Sequence, residues 1–144
     1  MQLPFRRLRP EAMLPGSQHP GDAGLDLRAA QGAKVDPGSR AMIPTGLAVA
    51  IPEGHAGLVL PRSGLASRKG LTLANSPGLI DAGYRGEVIV AVVNLDRDEP
   101  VVIEQGDRIA QLVIVRVPEV APAWADELPR SSRGEGGFGS TGTS

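Results

Sequence analysis

The sequence predicts an all-β fold, a distorted jelly-roll β-barrel or sandwich with one short helix and a flexible glycine-rich C-terminal arm. Two observations carry the prediction. In 144 residues, 19 glycines and 13 prolines interrupt the chain too often for long helices. Between them lie short β-rich runs bounded by turn signals. Residues 88–93 and 112–115 are moreover apolar at successive positions, the pattern of strands covered on both faces by a second sheet or by neighbouring subunits.

In chain order, Ala23-Gly24-Leu25-Asp26-Leu27 sets a carboxylate between leucines, where an alternating strand points it away from them. Residues 40–51 and 56–60 read as strands with Pro52-Glu53-Gly54 turning between them. Pro61-Arg62-Ser63-Gly64 ends the second strand with a guanidinium and a hydroxyl, and Ser63–Lys69 is the one place for a short helix. Read alone, Ser63 is a plain N-cap. Residues 75–87 carry two turn signals, Pro77-Gly78 and Ala82-Gly83, and predict a tight β-hairpin. Such a hairpin offers backbone groups to a planar ligand edge while holding Asp81 and Tyr84. The strongest apolar run is 86–95, followed by the polar turn Asp96-Arg97-Asp98-Glu99 and strands at 100–104 and 108–117. The last of these brings in the amide of Gln111, read alone as a surface glutamine. No internal repeat occurs. The expected division is a barrel domain over 1–117, a linker over 118–132 and an arm over 133–144.

The formal charge of −1 supplies no basic field for nucleic acid, so no stable nucleic-acid binding is expected. Arg6, Arg7 and Arg9 read as a solvated edge. The absence of cysteine excludes disulfides and thiolate metal sites. No run of 18 apolar residues is present, so neither a membrane span nor a secretion signal is expected, and the chain reads as a soluble, cytoplasmic protein. His19 and His55 sit beside proline or glycine in loops, read as surface residues and receive no role.

Residues 133–142 are half glycine, too rich in backbone entropy to fold alone. They nevertheless carry Arg133, Ser140, Thr141 and one of the two phenylalanines, Phe138. An arm that orders over a ligand uses such a set: the ring stacks on a flat group while the guanidinium and hydroxyls grip an anion. Gly134, Gly136 and Gly139 also fit GxGxxG, but no strand precedes them and no helix can follow. The dinucleotide fingerprint fails on context.

In this order and spacing the five segments resemble the ordered motifs of the trimeric dUTP pyrophosphatases, the dUTPases. The likeness runs from about residue 22 to residue 142 and is most specific in Ile80-Asp81-Ala82-Gly83-Tyr84-Arg85-Gly86 and in the glycine arm. Leu25 stands where many members carry tyrosine, a packing variant. The resemblance implies hydrolysis of dUTP to dUMP and pyrophosphate with Mg²⁺ as cofactor. Asp81 would be the general base for the water that attacks the α-phosphorus. Asp26 would hold the metal through its water shell, since Mg²⁺ keeps several waters and takes phosphates as ligands.

Arg62, Ser63, Gly64 and Gln111 would contact the phosphate chain. Asn75 and the backbone of Gly78 and Ile80 would pair with uracil in a pocket too tight for the thymine methyl. Tyr84 would pack on the deoxyribose and exclude a 2′-hydroxyl. Arg133, Gly139, Ser140 and Thr141 would close on the terminal phosphate, with Phe138 stacked on the base. The family arrangement is a homotrimer whose three sites are each shared between subunits. Other readings stay open, a purely structural β-domain ranking last among them. The dCTP deaminases share the fold, although the glycine arm and Asp81-Ala82-Gly83-Tyr84 favour the simple hydrolase. A nucleotide-binding module without turnover is another.

Overall fold

The computed structural model describes residues 1–142; the last two residues expected in the arm, 143 and 144, lie outside the described residues. Among the described residues there are eleven strands and one helix. They are β1 (Phe5–Arg7), β2 (Leu25–Arg28), β3 (Ala33–Val35), β4 (Arg40–Pro44), β5 (Leu47–Val49), β6 (His55–Leu60), α1 (Ser63–Lys69), β7 (Leu71–Leu73), β8 (Gly78–Ile80), β9 (Ile89–Asn94), β10 (Val101–Ile103) and β11 (Arg108–Arg116). No helix among the described residues is long and apolar enough to cross a membrane.

The architecture is a rolled ribbon. β2 pairs with β11, β3 with β10 and β4 with β9, each antiparallel, so the early strands are nested inside the late ones. That wrapping is the jelly roll the sequence predicts. β6 joins β11 and β8 to complete a four-stranded sheet in the order β2-β11-β6-β8, while β9 also takes β7. The inward residues Leu27, Val35, Ile43, Val90, Val92 and Leu112 are fully buried and form the centre of the core. Helix α1 matches the expected span. It stops at Gly70, whose left-handed φ of 68° would strain other residues, and a Cβ there would meet the Asp96 nitrogen at 2.8 Å.

Two expectations are corrected. The strand expected over 40–51 breaks into β4 and β5 at Thr45-Gly46. Gly46 takes a φ of 70°, and the buried Thr45 hydroxyl donates to the Val88 carbonyl at 2.6 Å. Residues 75–87 do not form a hairpin on themselves: Gly78–Ile80 pairs with Val59–Gly57 of β6, and the returning arm is a loop. Of the two covers expected for the second face of the apolar runs, a second sheet of the same chain does not supply it fully. β9 buries Val90 and Val92 but leaves Ile89 on its other face 45% exposed.

A buried amide and an exposed carboxylate organise the turn after β9. Asn94 donates to the carbonyls of Val35 (3.0 Å) and Glu99 (2.9 Å), and its own oxygen accepts from the Asp96 nitrogen (2.9 Å). Unpaired in the core, each carbonyl would cost roughly 1–3 kcal/mol. Asp96 accepts the Glu99 and Asp98 N–H groups, both at 2.9 Å, and these bonds hold its carboxyl below the ordinary 3.8. A lowered folded-state value means the stabilisation is present above the ordinary value and is lost as pH falls through the folded one. Asp96→Asn is therefore expected to lower the melting temperature at neutral pH and to converge with the parent in acid. A difference that persists undiminished at low pH would contradict this.

Candidate active site

The expected site residues fall into three groups on the barrel. The first lies where β2, β11 and β6 run side by side. Register sets Gln111 opposite both Asp26 and Leu60, so the carboxylate and the amide share the outer face of the sheet. Arg62 and Ser63 enter from the end of β6. Together with Gly64, Gln18, Asp22 and Val113 they line a cavity of about 460 Å³. Asp26, its side chain only 12% exposed, is held by Arg62 Nε at 3.2 Å and by Arg108 Nη1 at 3.4 Å. Gln18 Nε2 donates to the same carboxylate at 2.9 Å. Arg62 also donates to the Arg108 carbonyl (3.3 Å), and Gln111 Nε2 to the Pro61 carbonyl (3.0 Å). Gly24 is needed here, since a Cβ would run into Gln111 Oε1.

Arg108 and Gln18 were not among the sequence-predicted residues. A bulge between Arg108 and Ala110 turns the arginine towards Asp26, and strand alternation gives no sign of a bulge. Gln18 arrives because the Asp26 nitrogen donates to the Gly16 carbonyl at 2.9 Å, laying residues 16–22 beside β2. Ser63 corrects its plain reading as well. The N-cap position belongs to Arg62, and no side chain caps the first turn. Ser63 is exposed, and its hydroxyl makes no cap bond.

Among the described residues no three His, Cys, Asp or Glu side chains gather to hold a metal. A cation enclosed by protein oxygens does not fit here. Mg²⁺ that brings its own water and phosphate ligands does, because one carboxylate at the cavity wall then suffices.

The second group surrounds β8. Asn75, Gly78, Ile80, Asp81 and Tyr84 line a cavity of about 310 Å³ floored by Val59, Leu73 and Val90. The Ser76-Pro77 peptide is cis. Asn75 closes on Gly78, where a Cβ would come within 3.3 Å of the Asn75 amide nitrogen. Asp81 is exposed, and its carbonyl accepts the Tyr84 N–H at 3.0 Å, which sets both side chains on one tight turn. The pocket's volume lies at the low end of small-molecule sites, and Asn75, Asp81 and Tyr84 supply a few polar atoms to an otherwise apolar lining.

The third group is the arm, which is not brought to either cavity. Residues 133–142 form successive turns: Gly136 N–H donates to the Arg133 carbonyl (3.2 Å), Ser140 to Gly137 (3.0 Å) and Gly142 to Gly139 (2.8 Å). Arg133 Nε donates to the Gly136 carbonyl at 2.6 Å. Phe138 is fully exposed, and with a φ of 50° it is the one non-glycine residue in the left-handed region among those described.

The first two groups are separated by the sheet itself. Val59 lines the cavity beside β8 and its neighbour Leu60 the polar one, and adjacent strand residues point to opposite faces. The two cavities thus lie back to back in one copy of the chain.

Fold and site together define an enzyme-like jelly-roll domain with a polar cavity and a smaller, more apolar pocket on opposite faces of one strand. The chain belongs to the dUTPase family, whose model matches residues 10–142. It is 57% identical over 138 residues to a deoxyuridine 5'-triphosphate nucleotidohydrolase of Streptomyces avermitilis, covering 96% of this chain and 79% of that one. The counterpart in Thermobifida fusca is 54% identical over 142 residues, covering 99% and 79%. Among solved structures, the Staphylococcus bacteriophage 80alpha dUTPase with dUPNHPP superposes with a TM-score of 0.88 at 33% identity, covering 99% of each chain. A variant dUTPase from phage phi11 of S. aureus, described for its coordination of a structural Mg(II) ion, gives 0.82 at 30% identity, covering 88% of this chain and 98% of that one.

Proposed function

We propose that this chain, a dUTP diphosphatase by family, hydrolyses dUTP to dUMP and pyrophosphate in sites completed between three copies. The observation that carries the shared site is the placement of the two cavities on opposite faces of β6. A nucleotide bound by the base pocket of one copy finds its phosphate contacts only on another. The apolar outer faces support the assembly, with Met42 66%, Leu79 65% and Ile89 45% exposed in the single chain.

In this reading uracil enters the Asn75–Ile80 pocket and the deoxyribose lies on Tyr84. The triphosphate runs to Arg62, Ser63, Gly64 and Gln111 of a second copy. Mg²⁺ on the triphosphate would neutralise its charge and that of the departing pyrophosphate, with Asp26 reaching it through water. Asp81 takes a proton from water as the water oxygen bonds to the α-phosphorus. The bond from that phosphorus to the bridging oxygen breaks, and pyrophosphate leaves with the electron pair. Arg62, braced by Asp26 and the Arg108 carbonyl, meets the growing charge without having to reorganise. The arm closes from a third copy: Arg133, Gly139, Ser140 and Thr141 on the terminal phosphate, Phe138 on the base. Its closure excludes bulk water. The product dUMP is the precursor for thymidylate synthesis, and removal of dUTP limits uracil in DNA.

The test is pyrophosphate release by purified protein with Mg²⁺, offering dUTP, dTTP, dCTP and UTP separately. Release from dUTP alone is expected. Ammonia from dCTP would replace the hydrolase by a deaminase, and release from none would leave a binding module.

A further inference from the structure

Tyr84 is held by residues that have so far had no role. Its hydroxyl donates to the Glu87 carbonyl at 2.8 Å. The Glu87 carboxylate in turn accepts Arg9 Nε at 3.0 Å and Nη2 at 3.3 Å, and the Gly46 N–H at 2.8 Å. This two-toothed ion pair is partly shielded, with Glu87 19% exposed, so it fixes direction as well as distance. Residue 88 is fastened to the same place: Val88 N–H donates to the Leu47 carbonyl at 2.7 Å, and its carbonyl accepts the Thr45 hydroxyl at 2.6 Å. The break between β4 and β5 is therefore a socket for residues 87–88. Arg9 is seated over that socket, since a Cβ on Gly46 would meet the Arg9 Cβ at 3.1 Å.

Gly86 completes the hold. A Cβ at this position would lie 2.7 Å from Tyr84 Cζ and 3.0 Å from Cε2, so any side chain drives the ring away.

We propose that Gly86 and Glu87, with Arg9 as the anchor of Glu87, are positioning residues that fix the Tyr84 ring and so set discrimination against ribose. The inference rests on the reading above, in which the ring packs on the sugar. Because its hydroxyl is committed to Glu87, Tyr84 presents the sugar with an apolar ring face and no free donor. A ribose 2′-hydroxyl buried there loses its water and gains no partner, which penalises UTP. A ring released from its brace can retreat, and the penalty falls. The N-terminal segment is in this way part of the substrate selector.

Tyr84 is the only tyrosine in the chain, so a ¹³C-labelled tyrosine ring gives one unambiguous NMR signal in the ligand-free protein. Arg9→Met, Glu87→Gln and Gly86→Ala are each compared with the parent in that signal and in kcat and KM for dUTP and UTP. In the folded variants the ring signal is expected to move or broaden, with kcat for dUTP within about 3-fold and KM raised. The preference for dUTP over UTP should drop about 10-fold or more. Arg9→Lys, which restores the charge, should recover part of it. An unmoved ring signal, or an unchanged preference, in folded Arg9→Met and Gly86→Ala would overturn the inference while leaving the hydrolase reading intact. A parent protein without dUTP turnover sinks that reading instead, and the NMR comparison still decides whether the brace exists.

Discussion

Asp81→Asn is expected to keep dUTP binding and the fold while lowering turnover by ~100-fold or more, the usual size of a general-base contribution. The substitution preserves shape. The bond that shapes the turn runs between the backbones of Asp81 and Tyr84 and is untouched by a side-chain amide. Asp81 is exposed, so no core contact is lost. What asparagine cannot do is accept a proton from the attacking water. The loss should therefore appear in kcat with KM little changed, measured by pyrophosphate release under saturating dUTP. Near-normal turnover would remove Asp81 from the role of base and direct attention to another acceptor in the same pocket.

Truncation after residue 132 should be nearly as damaging to activity and harmless to the barrel. The last strand ends at Arg116, and every backbone hydrogen bond of residues 133–142 described above stays within the arm. Phe138 covers nothing in its own chain. Removing these residues leaves the core and the sheet faces as they were, so melting temperature and oligomeric state should match the full-length protein. Activity should fall by ~100-fold or more, because the terminal phosphate and the base lose their clamp and bulk water reaches the site. A truncate with full activity would eliminate the closing arm.

Local rules made part of this molecule legible. Helix α1 follows from the glycine that must end it, β6 and β11 from β-rich apolar runs bounded by turn residues, and the arm from its composition. Three-residue strands such as β1, β3 and β7 are too short to carry a period, and their pairing partners are remote. The break at Thr45-Gly46 escaped because it exists for residues 87–88, far along the chain. The expected hairpin failed for the same kind of reason: β8 gains a ladder with β6 that its own returning arm does not offer. At the site, spacing identified which residues carry polar chemistry, and the structure shows that they are divided. Val59 and Leu60, adjacent in sequence, face different cavities, and a list of motifs contains no faces. Arg108 joined Asp26 only through a bulge.

The nested pairing of the ribbon also dictates when the site comes into being during synthesis. The contact between Asp26 and Arg108 closes a separation of 82 residues and belongs to the outermost ladder of the nested set, the one that must bring the most distant segments together. A ribosome that has made two thirds of this protein holds β2 with no β11 to meet it. Asp26 then faces no Gln111 and has no Arg108 at its side. The polar cavity is thus among the last features to form, and an unfinished chain cannot sequester a nucleotide. The arm emerges later still, behind a barrel that is by then able to close.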